Sequence, residues 1–141
     1  MVDVPKPMTG RCLCGAITYS ADAEPVWQGV CHCSNCQRQT ATAFSVIVGV
    51  PRSALTIEGD TLSSFKTVSE GYDSTTERHF CSNCGSPIFS VIESMSELAW
   101  LKAGTLDDTS WFEPTAEIWT RSAQPWAPHF ENVQRFERIP E

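Results

Sequence analysis

The sequence has little positive charge and no long hydrophobic run, and each absence excludes a class of protein. Its 141 residues include 10 lysines and arginines against 17 aspartates and glutamates, a formal net charge of −7. That charge is the opposite of the basic surface of a nucleic-acid-binding protein. The longest apolar segment, residues 44–50, falls well short of the ~20 residues of a membrane-spanning helix. We therefore expect a soluble protein with neither nucleic acid nor membrane as its partner.

The N-terminal segment also lacks an apolar stretch of the length found in secretion signals, so we expect a cytoplasmic protein. The sequence contains seven cysteines. Disulfides are rare in a reducing compartment, and an odd number of cysteines cannot pair completely within one chain. The thiols must therefore serve another purpose.

Short stretches of alternating apolar and polar residues, separated by Gly, Pro, Asp and Ser, predict a mainly β protein built from antiparallel sheets. One short helix is predicted, with Ser34 as its N-cap and its end near Thr42. Residues 97–102 contain helix-favouring leucines and alanine, but their length and Trp100 favour a strand. No repeat or linker divides the chain, so we expect one domain over residues 1–141, with loose ends at 1–8 and 138–141. The predicted strands are residues 16–20, 26–31, 44–50, 62–68, 75–80, 87–92, 97–102 and 115–120.

The seven cysteines fall into tight groups with the spacing of metal ligands. They form a C-x-C pair, a C-x-C-x-x-C group and a C-x-x-C pair, namely Cys12 and Cys14, then Cys31, Cys33 and Cys36, then Cys81 and Cys84. Two cysteines one or two residues apart can turn both sulfurs toward one ion. The seven cysteines then divide into one set of four metal ligands and one set of three.

The two pairs can supply the four thiolates of a closed tetrahedral zinc site. We therefore predict a structural zinc held by the four-cysteine cluster, Cys12, Cys14, Cys81 and Cys84. A glycine follows each pair and can take the left-handed conformation that wraps the chain around the ion. The alternative is that some of these thiols are only buried small apolar side chains.

The three-cysteine cluster, Cys31, Cys33 and Cys36, has no obvious fourth ligand. Catalytic zinc sites commonly use three protein ligands and leave one position to water or substrate. Three thiolates give the zinc one net negative charge, so the open position should prefer a soft sulfur ligand. A thiol bound there would lose its proton at neutral pH and could attack a small aldehyde. The alternatives are a second structural zinc completed by a histidine, with His32 the best candidate, or a vacant or redox-active thiol set.

Four stretches, in order along the chain, carry a family resemblance: GRCLCGAITY at 10–19, CHCSNCQR at 31–38 with Phe44 beyond it, FCSNCGSPI at 80–88 and GTLDD at 104–108. With these motifs the chain resembles the glutathione-dependent formaldehyde-activating enzyme family, which includes centromere protein V. The resemblance implies a β-tent fold around a structural zinc at the four-cysteine cluster. It also implies a catalytic zinc at the three-cysteine cluster, and thus two zinc ions per chain.

The resemblance implies carbon–sulfur lyase activity, in which glutathione adds to formaldehyde to give S-hydroxymethylglutathione and the adduct is split in reverse. A small-molecule thiol and an aldehyde are therefore the expected partners. A homodimer is a further possibility that the sequence leaves open. The family often has Ser-Gly-Ser before the phenylalanine, where this sequence has Thr40-Ala41-Thr42-Ala43. If a glycine is needed there for a positive φ angle, Ala41 would obstruct it.

Three arginines, Arg11, Arg38 and Arg78, lie within three residues of a cysteine and can offset the negative charge of a zinc–thiolate cluster. We expect Arg38, just past the three-cysteine cluster, to bind the carboxylate of an anionic thiol substrate.

Phe44, together with Trp126 and Phe130, could wall the substrate cleft, although aromatic residues of a small β domain more often form its core. His79 and His129 are taken as ordinary residues, with His129 a proton shuttle only if the C-terminal segment folds over the site.

Two functions of different class follow. One is a zinc enzyme of the carbon–sulfur lyase type, and the other is a non-catalytic, zinc-stabilised binding module in which the three-cysteine cluster braces a loop. The missing fourth ligand favours the enzyme. Redox chemistry at Cys33 and Cys36 is weaker, because no thioredoxin-like βαβ pattern surrounds them.

Overall fold

The computed structural model describes residues 3–69 and 73–140, and it confirms the predicted mainly β architecture. Residues 1–2 and 141, which belong to the two predicted loose ends, lie outside the described residues. No helix within the described ranges is both long and apolar enough to cross a bilayer. One α-helix, α1 (Ser34–Thr40), accompanies the strands β1 (Met8–Arg11), β2 (Thr18–Ala21), β3 (Trp27–Cys31), β4 (Ser45–Pro51), β5 (Leu55–Glu58), β6 (Leu62–Val68), β7 (Thr75–Cys81), β8 (Pro87–Ile92), β9 (Leu98–Lys102), β10 (Ala116–Ile118) and β11 (Gln134–Arg135).

The strands form two sheets. The smaller has the order β1-β2-β5, and the larger has the order β11-β10-β3-β4-β9-β8-β7-β6. Neighbouring strands are antiparallel, except that β10 runs parallel to both β3 and β11. This order places β4 between β3 and β9, so the end of β3 and the end of β9 are brought to one region of the larger sheet.

Two apolar clusters form the core. The larger includes Val48, Leu101 and Ile88, each fully buried, and burying side chains of this size contributes about 1.5–3 kcal/mol each. The smaller surrounds the three-cysteine cluster and includes Ile47 and Trp119. The three-cysteine cluster therefore lies in apolar surroundings.

The observed element boundaries differ from the prediction at several points. Residues 97–102 do form a strand, β9. The N-cap of α1 is Cys33 and not Ser34, because the Cys33 sulfur accepts a hydrogen bond from the Cys36 amide at 3.3 Å. The helix ends at Thr40 because Ala41 adopts the left-handed conformation, with φ 56° and ψ 40°.

Short strands and chain ends account for the other differences. The pattern missed β1, β5 and β11, which have only four, four and two residues and too few alternations to stand out. Met8 was placed in a loose end, yet it belongs to β1, pairs with Ala21 and is 1% exposed. Ile139, at the other expected loose end, packs against the core around the three-cysteine cluster.

Candidate metal centres

The four-cysteine cluster joins the two sheets. Cys12 follows β1 of the smaller sheet, and Cys81 is the last residue of β7 in the larger one. The four sulfurs lie within 4.8 Å of one another, with 3.6 Å between Cys12 and Cys14 and 3.8 Å between Cys14 and Cys81. Zinc–sulfur bonds of about 2.3 Å in a tetrahedron require sulfurs about 3.8 Å apart. The donors and their spacing therefore fit a tetrahedral metal ion.

A left-handed glycine closes each turn of this cluster, as the sequence predicted. Gly15 and Gly85 both have φ of +82°. The Gly85 amide donates to the Cys81 carbonyl at 2.7 Å, and the Gly15 amide donates to the Cys12 carbonyl at 3.2 Å. A side chain at either position would be strained. The backbone conformation of each turn therefore requires glycine.

Neutral hydrogen-bond donors surround these sulfurs. The Asn83 side-chain amide donates to the Cys14 sulfur at 3.2 Å. The Ser86 hydroxyl lies 3.3 Å from the Cys84 sulfur and is the main cause that lowers the pKa of Cys84 to about 5. Hydrogen bonds to a thiolate stabilise the charged form that a metal requires. Arg11 lies beside the same turn, donating to the Cys12 carbonyl at 3.2 Å.

The three-cysteine cluster forms where β3 passes into α1. Cys31 ends β3, Cys33 caps the helix and Cys36 lies in its first turn. Their sulfurs lie within 4.8 Å of one another and all three residues are buried. Over residues 3–69 and 73–140 no fourth cysteine, histidine, aspartate or glutamate joins the group. Three convergent sulfurs could hold a metal ion while leaving one of its positions to another ligand.

His32 does not complete this cluster. Its Nε2 atom lies 2.8 Å from Glu117 Oε1, and both residues are fully buried. Arg135 of β11 donates to the other oxygen of Glu117, and the Phe44 ring packs edge-on against the His32 ring at 5.2 Å. His32 therefore ties the loop between the cysteines to β10 and β11.

Two buried cations face the three-cysteine cluster. Arg78 of β7 places Nη1 3.8 Å from the Cys36 sulfur and donates from the same atom to Gln39 Oε1 at 2.8 Å. Lys102, the last residue of β9, is 6% exposed and donates to the Ser45 hydroxyl at 2.7 Å. Burial lowers the pKa of Lys102, and the neighbouring cysteines oppose that shift.

The thiols of this cluster differ in acidity. Hydrogen bonds from Cys31 and Cys33, followed by the charges of Lys102 and Arg78, hold the pKa of Cys36 well below its usual range. Hydrogen bonding to Cys33 and Cys36, together with burial, raises the pKa of Cys31 well above its usual range.

A cavity of about 350 Å³ adjoins the three-cysteine cluster. Its size lies within the roughly 300–1,000 Å³ of small-molecule sites. Trp27 and Trp100 meet edge to face at 5.7 Å on its wall. Ser90 Oγ and Trp100 Nε1 are buried polar atoms of lining residues with no hydrogen-bond partner in the described structure. The cavity therefore has a mainly apolar wall, with two unpaired polar atoms buried in the residues that form it.

The substrate residues expected from the sequence lie elsewhere. Arg38 is exposed and borders a neighbouring pocket with Phe65 and Phe80, which shares Asn35 and Arg78 with the cavity. It follows Cys36 by two helical positions, which is a rotation of about 200° and so turns it to the opposite face of α1. Phe44 packs between His32 and Phe130, at 5.2 and 5.6 Å, and does not line the cavity.

The remaining candidates also lie outside the cavity wall. Trp126 is 69% exposed, and the exposed His129 has its Nδ1 atom 3.2 Å from Arg135. The C-terminal segment does reach the cavity, but through Ile139 and Pro140. His79 stacks on Phe89 at 4.2 Å.

Sequence reasoning missed Lys102, Trp100 and Trp119, and it took Arg78 only as a counter-charge. One signal was available for Lys102: alternate residues of a strand share a face, so a strand at 97–102 turns Trp100 and Lys102 to the same side. Nothing local indicated that this side faces the three-cysteine cluster.

The chain is similar to known proteins in sequence and in fold. A Penicillium rubens protein, provisionally named a glutathione-dependent formaldehyde-activating enzyme, is 26% identical over 109 residues, which cover 74% of this chain and 56% of that protein. The chain thus spans little more than half the length of this curated relative. A crystal structure of a Rhodobacter sphaeroides protein shares the fold, with a TM-score of 0.57 and 21% identity over 71% of this chain and 88% of that one. The sequence profile of the family described as glutathione-dependent formaldehyde-activating enzyme matches residues 7–122, a range that contains all seven cysteines, and the chain therefore belongs to that family.

Proposed function

We propose that the protein is a zinc enzyme of the carbon–sulfur lyase type that joins a thiol to a small aldehyde and splits the adduct again. One observation carries the proposal: three buried thiols converge, without a fourth described protein ligand, beside a cavity large enough for a substrate. An all-sulfur donor set favours zinc among the common divalent ions. Glutathione and formaldehyde, named in the family description, are the reference substrates.

The two clusters take different roles in this proposal. The four-cysteine cluster is a structural zinc site, because it supplies a full tetrahedral set and joins the two sheets. The three-cysteine cluster is the reactive site. A zinc ion held there would lower the pKa of an incoming thiol. Because disulfide formation would remove the proposed metal ligands of both clusters, we propose that the protein works in a reducing compartment such as the cytoplasm.

The chain's own residues suit the reaction. The thiol sulfur forms a bond to the carbonyl carbon as the carbon–oxygen π bond breaks, and the oxygen takes up the proton that the thiol gave up. No electrons are exchanged with another reactant. Lys102 lines the cavity and is a hydrogen-bond donor for the oxygen on which negative charge develops. Lys102 and Arg78 also offset the negative charge of the cysteines.

The experiment measures exchange between free formaldehyde and its glutathione adduct by NMR, with protein purified gently enough to retain two zinc ions per chain. We expect the wild type to accelerate exchange over buffer. Cys33→Ser should abolish the acceleration, and Ser53→Ala, at an exposed surface position, should keep it. Two firmly held zinc ions without acceleration for glutathione or other thiols would instead support the binding module.

A further inference from the structure

We propose that the cavity beside the three-cysteine cluster selects thiols that carry one bulky, uncharged apolar group, in preference to glutathione. This inference rests on the proposed function, because it assumes that the incoming sulfur takes the position left by the three cysteines. It concerns what the rest of the substrate touches.

The walls beyond the sulfurs are mainly apolar and aromatic, with Asn35, Ser69, Thr76 and Ser90 as the neutral polar residues among them. Three tryptophans from separate strands or their ends, Trp27, Trp100 and Trp119, line the cavity together with Ile47 and Ile118. Trp27 and Trp100 already meet edge to face. Surfaces of this kind bind apolar and aromatic groups most favourably, because binding removes those groups from water.

Glutathione would bring two carboxylates and an ammonium into this space. No aspartate or glutamate belongs to the described lining, so its ammonium would meet no counter-charge there. Arg121 and Arg138 stack on Trp119, 5.2 and 5.6 Å from the ring centre, but neither belongs to the lining. Burying charged groups without partners opposes binding.

The two charged residues of the lining, Arg78 and Lys102, lie at the sulfur end. Arg78 contacts the Cys36 sulfur, and Lys102 interacts electrostatically with the three-cysteine cluster. With a divalent zinc, three thiolates leave one negative charge, and the two cations turn this into one positive charge. A single incoming thiolate neutralises the site. A substrate that is uncharged apart from its sulfur therefore leaves the occupied site with no net charge.

The test uses the full chain loaded with cobalt in place of zinc, because the visible spectrum of cobalt reports the arrival of a new thiolate ligand. Three thiols are titrated: phenylmethanethiol as the apolar probe, glutathione, and mercaptoethanol as a small uncharged reference. We expect phenylmethanethiol to bind at least about tenfold more tightly than glutathione. Glutathione binding as tightly as phenylmethanethiol, or more tightly, would overturn the inference while leaving the proposed function intact. A cobalt spectrum unchanged by all three thiols would overturn both.

Variants locate the preference in the cavity wall. Trp100→Ala should weaken phenylmethanethiol binding about fivefold or more and leave mercaptoethanol binding unchanged, whereas the exposed Trp126→Ala should change neither. Equal weakening of the binding of both thiols by Trp100→Ala would contradict the inference.

A second variant tests the missing counter-charge. Met95→Arg, which adds a cation to a half-buried lining position, should strengthen glutathione binding severalfold. Unchanged glutathione binding in that variant would count against an electrostatic cause.

Discussion

The two cysteine clusters present the same ligand atom in opposite surroundings. In the four-cysteine cluster Cys14 is exposed, Cys84 is half-buried, and neutral donors such as Asn83 and Ser86 contact the sulfurs. In the three-cysteine cluster every residue is buried, and the nearby charges come from Arg78 and Lys102. Cys12 and Cys81 of the four-cysteine cluster are buried too, and Arg11 contacts the backbone of the turn there. The clusters therefore differ in the donors that reach the sulfurs, which are neutral in one and include a cation in the other.

The clusters also differ in what they connect. The four-cysteine cluster links the turn after β1 of the smaller sheet, through Cys14, to Cys81 at the end of β7 in the larger one, so its metal would add a direct link between sheets that also share an apolar core. The three-cysteine cluster spans only one strand end and the start of a helix, and a core already surrounds it. We therefore expect the metal of the four-cysteine cluster to stabilise the fold, and the three-cysteine cluster to be held in place by a fold that forms without its metal.

The largest expected difference concerns folding. Cys81→Ser removes a ligand that joins the two sheets, and structural zinc can supply about 10–16 kcal/mol of binding free energy that appears as folding free energy. We expect this variant to lose cooperative thermal unfolding, measured by circular dichroism. Cys33→Ser should retain a cooperative transition and bind one zinc ion per chain. Equal collapse of both variants would remove the distinction between the clusters.

The second prediction isolates the cationic surroundings of the three-cysteine cluster. Lys102→Met keeps the length of the side chain but removes a charge beside the thiolates. We expect thiol binding to the cobalt-loaded protein to weaken about tenfold, or ~1.4 kcal/mol. Lys66→Met, at an exposed position of β6, is the matched control and should leave binding unchanged. Unaltered binding in Lys102→Met would show that Arg78 and the metal suffice.

The third prediction concerns the helix that carries Cys36. Ala41 ends α1 with a positive φ angle, a conformation that costs an L-residue with a Cβ roughly 1–2 kcal/mol. Ala41→Gly should therefore raise the free energy of unfolding by about 1 kcal/mol, measured by urea denaturation with both metal sites loaded. Ala43→Gly, outside this left-handed position, should be neutral or destabilising. Destabilisation by Ala41→Gly would refute strain at the helix end.

The smallest expected effect is a shift in the pH at which each zinc ion is released. Protons compete with zinc for thiolates. The pKa of Cys84 is about 5, below its ordinary 9.0, so this ligand stays charged as pH falls and loses its contribution only near pH 5. The pKa of Cys33 is raised to about 11, because hydrogen bonding to Cys36 and burial outweigh the lowering effect of Cys31. Hydrogen bonding to Cys33 and Cys36 also raises the pKa of Cys31, while that of Cys36 is lowered; in the four-cysteine cluster a hydrogen bond from Thr61 lowers the pKa of Cys81, while that of Cys14 is raised. Two of three ligands against one of four thus have raised pKa values, so acidification should empty the three-cysteine cluster first, as followed with a zinc-sensitive dye.

Ser86→Ala sharpens this measurement. Loss of the hydroxyl beside Cys84 should raise the pKa of Cys84 and move release of the more firmly held zinc to higher pH. The nearby exposed Ser82→Ala should leave that release unchanged. A shift confined to the other zinc ion would contradict the assignment.

Short-range features of the site could be predicted because they depend on few residues. The C-x-C and C-x-x-C spacings bring sulfurs together within one turn, and the left-handed conformations of Gly15 and Gly85 follow from the same turns. The sequence indicated only that Ala41 would be unfavourable if its position needs a positive φ angle. The structure gives Ala41 a φ of 56°. Arg38 lies outside the lining of the cavity, because helical rotation turns it away from Cys36; its role in binding a substrate carboxylate stays a prediction.

Residues within a few positions of one another are enough to set the mainly β class, the grouping of the cysteines and the turns that shape each group. The approach of Arg78 from β7 and Lys102 from β9 to Cys36, and the meeting of distant tryptophans on one cavity wall, depend on the folded arrangement. Alternation along a strand sets which side chains share a face. What that face meets depends on the order and curvature of strands across the whole sheet, which no local pattern encodes.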